Sequence, residues 1–137
     1  MLLLLVRTGP LLAVMGMIFY LSHQPFDDLS LPGFFGFDKI LHLFAYSVLA
    51  MTVLWFRSSD SAVSPMNAAL WAFTVTLLFG ISDEYHQSFI PNRMVSGWDI
   101  VADGLGGLLV AVLWLYKQEM RDCFHKLHHS LEQRLFS

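Results

Sequence analysis

Long apolar runs separated by short polar breaks dominate the chain. Residues 40–56 and 65–81 contain no Lys, Arg, Asp or Glu, and residues 98–116 contain only Asp99 and Asp103, both near the start of the run. Crossing the hydrocarbon core of a bilayer takes about 17–25 mostly apolar residues in a helix, and all three runs meet that length. A fourth run, 2–21, is interrupted by Arg7 and Pro10. Both interruptions fall in its first two turns, where Arg can snorkel to the headgroups and Pro is tolerated. No Ala-x-Ala-like site follows this run and its charge lies inside it, so it reads as a retained helix, not a signal peptide. Residues 117–137 differ. Met120, Phe124, Leu127, Leu131 and Leu135 recur at helical spacing among charged residues and His, the pattern of an amphipathic helix on a membrane surface or a partner. The pattern predicts an all-α fold: a four-helix transmembrane bundle over 1–116 and an amphipathic cytoplasmic tail over 117–137.

Composition narrows the function classes. Charged residues make up 14% of the 137 positions and hydrophobic residues 55%, against roughly 25% charged in soluble proteins. That hydrophobicity excludes a disordered chain. A net charge of -3 excludes a nucleic-acid module. One cysteine, Cys123, excludes a disulfide framework and any Cys-based zinc site. His125, His128 and His129 include an i,i+4 pair, but with no carboxylate or Cys arranged beside them they read as a solvated polar face. Arg7, Arg57, Lys117, Arg121, Lys126 and Arg134 fall on one side of the four runs, and only Lys39 and Arg93 on the other. The positive-inside rule then places both termini in the cytoplasm.

The polar residues of the apolar half gather at one membrane face, because an up-down bundle brings together the start of span two, the end of span three and the start of span four. Asp38, His42 and Tyr46 are successive i,i+4 neighbours beside Lys39, and Asp83 and Gln87 form another such pair beside Glu84. Ser96, Asp99, Asp103 and Gly106 lie along one helical stripe. Ionisable groups in hydrocarbon face the bundle interior and are paired or wet, so three facing stripes predict one buried polar cluster. Asp38 also suits the N-cap of span two, and Ser96 with Asp99 suits a capping box. Glu84 and Arg93 bracket the Pro91-Asn92 turn and are expected to pair, ordering the loop 85–95. Asp103 lies about 6 Å below Asp99 along a helix, too deep for capping, and needs a donor from the His42–Tyr46 or Asp83–Gln87 face. Gly104, Gly106 and Gly107 are expected to let span four approach its neighbours.

Two spaced blocks carry a family resemblance: Phe37-Asp38-Lys39-x-x-His42-x-x-x-Tyr46, and Asp83-Glu84-x-x-Gln87-Ser88-Phe89-x-Pro91-x-Arg93-x-x-Ser96-x-x-Asp99-x-x-x-Asp103-x-x-Gly106. In order and spacing they resemble the signature of VanZ-like membrane proteins, with Asn92 where Gly commonly precedes the Arg. The resemblance implies a small multi-pass protein of the bacterial inner membrane, in a family whose founding member is associated with low-level teicoplanin resistance. It transfers no catalytic residue. Taken with the cluster, it leads to the expectation of a non-enzymatic protein that binds or handles a lipid headgroup, a lipid-linked cell-wall intermediate or a glycopeptide. The candidate ligand-binding residues are Asp38, Lys39, His42, Tyr46, Asp83, Glu84, Gln87, Arg93, Ser96, Asp99 and Asp103. Membrane lipid is the expected partner, with no nucleic acid, no required cofactor and no metal. The alternative is an intramembrane enzyme acting on a lipid-linked phosphate, with a divalent metal at His42, Glu84, Asp99 and Asp103 or with acid–base chemistry. In a purely structural reading, the cluster staples four short helices together.

Overall fold

The structure is a computed structural model that describes residues 2–24, 36–58, 60, 62–93 and 95–136. Five helices follow one another: α1 (Leu2–Ser22), α2 (Phe37–Ser58), α3 (Pro65–Gln87), α4 (Gly97–Tyr116) and α5 (Gln118–Phe136). The first four are long and apolar enough to cross a membrane.

α4 packs against both α2 and α3, and α2 and α3 also touch each other. Their shared core is built largely from small residues, with Ala50, Ala68, Ala69, Ala72 and Ala111 around Val53, Leu54, Val110 and Trp114. Short side chains let helix backbones approach in a solvent that offers no hydrophobic drive for association. Two glycines of α4 carry this furthest. A Cβ on Gly106 would stand 2.5 Å from the Leu43 carbonyl oxygen, and one on Gly107 would stand 2.9 Å from Thr76 Cβ. Gly104 does not share that role, since a Cβ there meets only Leu77 Cδ1 at 3.4 Å. α1 leans mainly on α2 through Ile18, which packs with Tyr46 and Leu49. The outer face of α1 exposes Leu4, Leu5, Leu12, Met17 and Phe19, as a lipid-facing helix does.

Helix ends follow local chemistry. Ser64 caps α3, accepting the Asn67 amide at 3.2 Å, with Pro65 at the first helical position, where a missing N–H costs nothing. α3 continues six residues past the predicted end at position 81, because Asp83, Glu84 and Gln87 are buried in contact with other helices. The uncharged-run criterion stops at the first acid; the backbone does not. Asn92 takes the left-handed conformation, φ 63°, at the turn before α4.

α5 is tied beneath the bundle. Arg121 donates to the carbonyls of Trp114 and Leu115 at 2.6 and 2.9 Å, satisfying the open end of α4. The His128 ring lies on Trp55 with centroids 3.6 Å apart and bonds the Trp55 carbonyl at 3.0 Å. His128 is therefore buried, not part of a solvated face, and burial pushes its imidazole below the ordinary range. Arg7 does not snorkel to headgroups; it pairs with Glu132 of α5 at 2.5 Å.

Candidate functional site

At the opposite end of the bundle, the first turns of α2 and α4 meet the last turns of α1 and α3. Asp38 sits inside the first turn of α2 instead of capping it, because the helix begins at Phe37 after Gly36 in a left-handed conformation. Its carboxylate accepts from the neighbouring Lys39 ammonium at 2.6 Å. The same ammonium lies 2.6 Å from Asp99 Oδ1 on α4. Lys39 thus clamps two helices through their acids.

That contact draws Asp99 away from its expected capping role. Ser96 does cap α4, accepting from the Trp98 amide at 3.3 Å. Its own amide donates to Glu84 Oε2 at 2.9 Å, so a carboxylate from α3 completes the cap. Glu84 is 2% exposed and does not pair with Arg93. Arg93 instead donates to the carbonyls of Leu21 and Gln24 at 2.7 and 2.9 Å. It closes the C-terminal end of α1 and ties the loop to that helix.

One level deeper, the His42 Nδ1–H donates to Asp103 Oδ1 at 2.9 Å. Asp103 has no exposed surface and fits only because Gly80 faces it. A Cβ at Gly80 would stand 2.6 Å from Asp103 Oδ2. The Tyr46 ring stacks one turn below His42, 6.1 Å away and tilted by 8°. Beside them Asp83 Oδ2 accepts from Ser22 Oγ at 2.7 Å and from Gln87 Nε2 at 2.8 Å. Ser22, near the end of an apolar run, carries no signal in the sequence. Its participation is visible only once α1 is packed. His23 and His86 stack nearby with Phe19, outside the acidic group.

The three stripes therefore converge as expected, with roles redistributed. Lys39, Asp38 and Asp99 form one group, His42 and Asp103 a second, and Ser22, Asp83 and Gln87 a third. Ser96 and Arg93 close helix ends at the edge. Among the described residues, Tyr46 Oη, Asp83 Oδ1, Glu84 Oε1 and Asp103 Oδ2 are buried without a hydrogen-bond partner. One ligating atom from each of His42, Glu84 and Asp99 falls within 4.8 Å of the others. A half-open cavity of about 250 Å³ reaches this chemistry. Ile18, Leu21, Leu41 and Ala45 give it apolar walls, Ser22, His42, Tyr46, Asp83 and Gln87 give it polar ones, and Asp38 and Arg93 also line it.

No curated protein and no solved structure shows significant similarity to the chain. The family comparison is positive: residues 9–118 match VanZ/LLP1. That stretch holds every residue of the polar cluster together with the four apolar helices but for the first turns of α1. The chain is a membrane protein and belongs to the VanZ/LLP1 family.

Proposed function

We propose that the cluster binds the headgroup of a membrane lipid or of a lipid-linked cell-wall intermediate, one that presents hydroxyl or ammonium donors. The observation that carries this reading is a buried acceptor without a donor on the wall of the cavity, Asp83 Oδ1. A buried polar atom left unpaired costs about 1–3 kcal/mol, and a donor group of the ligand removes that cost. The apolar walls of the cavity suit the first carbons of an acyl or prenyl chain, and Arg93 and Asp38 line the same space. A volume of about 250 Å³ accommodates a headgroup or one sugar. A whole glycopeptide is too large for it, so a resistance role like that associated with the family's founding member would act through the lipid-linked target. The Lys/Arg distribution supports cytoplasmic termini, which opens the site to the outer leaflet of a bacterial inner membrane.

Native mass spectrometry of the full chain, purified in mild detergent or taken from nanodiscs of mixed lipid composition, tests the proposal. The wild type is expected to retain one lipid per chain, enriched over its share of the bulk, and Asp83→Asn to retain markedly less. A wild type that carries only the bulk lipid mixture, or an Asp83→Asn protein with unchanged retention, would overturn it.

The His42–Asp103 contact favours one second reading, acid–base chemistry on a lipid-linked phosphate. Release of phosphate from a lipid pyrophosphate by the wild type, lost in His42→Gln, is its test. No release by the wild type eliminates it.

A further inference from the structure

We propose that His42, Glu84 and Asp99 hold one divalent cation of the zinc or manganese kind, with Asp103 as the carboxylate that orients His42. This inference does not rest on lipid binding.

Three helices contribute one ligand each, α2 through His42, α3 through Glu84 and α4 through Asp99, and their ligating atoms lie within 4.8 Å of one another. Ligands bonded at about 2.0–2.2 Å around a tetrahedral or octahedral ion stand roughly 3–3.5 Å apart. Small side-chain rotations close that difference. An imidazole with two carboxylates is a donor set for zinc, manganese or ferrous iron, and a poor one for calcium, which takes oxygen alone.

The surroundings are those of a metal-binding histidine. Its Nδ1–H donates to Asp103 Oδ1 at 2.9 Å, which fixes the tautomer and leaves the Nε2 lone pair for an ion. Metal-ligating histidines almost always carry such a carboxylate or carbonyl partner on the second nitrogen. Asp103 is wholly buried and held against Gly80, so the ring is set from behind. Glu84 is 2% exposed, and its Oε2 is occupied by the Ser96 amide. Its Oε1 is buried with no partner among the described residues. That oxygen is the independent sign of a missing cation or donor, since carboxylate oxygens are rarely buried unpaired.

Charge points the same way. Asp38, Asp83, Glu84, Asp99 and Asp103 share this end of the bundle with two permanent cations, Lys39 and Arg93, and with the imidazoles of His42, His23 and His86. Lys39 is already engaged by Asp38 and Asp99, and Arg93 by the carbonyls closing α1. A His42 that donates from Nδ1 and ligates through Nε2 is neutral, so the five acids stand three positive charges short. One divalent ion covers two of those three charges and engages the unpaired Glu84 oxygen, and Lys39 remains beside it on Asp99.

The experiment uses the full chain in detergent micelles, stripped with EDTA, equilibrated with ZnCl₂ or MnCl₂, desalted and analysed by inductively coupled plasma mass spectrometry. The wild type is expected to keep close to one ion per chain, and its thermal unfolding midpoint to rise with the ion and fall with EDTA. Glu84→Gln preserves an acceptor for the Ser96 amide and is expected to bind the ion more than tenfold more weakly. Asp103→Asn alters only the outer partner, for which about a 10–100-fold loss is expected. His125→Ala/His129→Ala removes the two exposed tail imidazoles, a competing place for an adventitious ion, and is expected to keep the full content. A wild type that retains neither ion overturns the proposal, whatever the variants do. Loss of the ion from the tail variant with retention in Glu84→Gln overturns it as well.

Discussion

Gly106→Ala tests the closest contact in the bundle. The new methyl would fall 2.5 Å from the Leu43 carbonyl oxygen and 3.0 Å from the Ser47 amide nitrogen. Both are backbone atoms of α2 and cannot rotate away. Ordinary van der Waals contact returns only if α2 and α4 separate by about 1 Å. Overpacking of this kind costs about 1–3 kcal/mol, and the helix-propensity gain of Ala over Gly offsets up to about 1 kcal/mol. The expected net loss is about 1–2 kcal/mol. The same displacement would break the Ser47 Oγ bond to the Gly106 carbonyl, already 3.3 Å long, and stretch the His42–Asp103 contact above it. Unfolding of purified protein in micelles, followed by tryptophan fluorescence, reads the effect directly. Gly104→Ala is the control, because its methyl meets only Leu77 Cδ1 at 3.4 Å. That variant should match the wild type or exceed it by up to about 1 kcal/mol. Equal stability of the two alanine variants would refute the reasoning, since nothing but the α2 backbone distinguishes them.

Ser22→Ala removes the hydroxyl that donates to Asp83, and a loss of about 1–3 kcal/mol is expected in the same assay; no change would detach α1 from the cluster. His128 is docked in its neutral form, with its proton affinity lowered by burial. An undocked tail takes up a proton near pH 6.5, so α5 should stay docked above that value and loosen as the pH falls through it. The protection of α5 amides, the factor by which they exchange more slowly than the intrinsic rate at each pH, is therefore expected to fall between about pH 7.5 and about pH 5.5, and a flat protection profile would contradict the assignment. Glu132→Gln should cost less than about 1 kcal/mol, because the Arg7 pair is partly solvated; a larger loss in the unfolding assay would mean the pair is shielded by lipid. With Cys123 replaced, a cysteine at position 92 should react with a membrane-impermeant maleimide in intact cells. Reaction only after permeabilisation would reverse the orientation.

The convergence of the three polar stripes was legible because it depends only on helix periodicity and on an up-down chain path. Asp103 was likewise identifiable as the deep acid, since its depth follows from its position in the run. Partner choice was not legible. Glu84 and Arg93 bracket a turn and carry opposite charge, yet the amide of Ser96 and the carbonyls of α1 claim them. Both are open backbone groups at helix ends, invisible in a residue list but as demanding as a charge. Asp99 lost its capping role in the same way, to Lys39 across the interface. Ser22 could not be found at all, because one hydroxyl near the end of an apolar helix has no partner until the third helix is beside it. His128 was misjudged for the complementary reason: its spacing with other histidines is conspicuous, and the Trp55 face that buries it lies far away in sequence.

The trans-capping of α4 by Glu84 also bears on how this chain enters a membrane. α1, with a mean hydropathy of 2.0, is the most apolar of the four helices, whereas α2, α3 and α4 stand at 1.4 to 1.6. An aspartate placed centrally in a helix raises its insertion free energy by about 2.5–3.5 kcal/mol, and less towards the ends. α3 and α4 carry acids whose partners reside elsewhere: Glu84 needs Ser96, Asp99 needs Lys39, Asp103 needs His42. A ribosome delivering them one at a time therefore presents the translocon with segments incomplete by themselves. α3 is best released into lipid together with α4, as a hairpin whose connecting turn already satisfies the carboxylate. A construction made for the finished site thus prescribes the order in which its parts leave the insertion machinery.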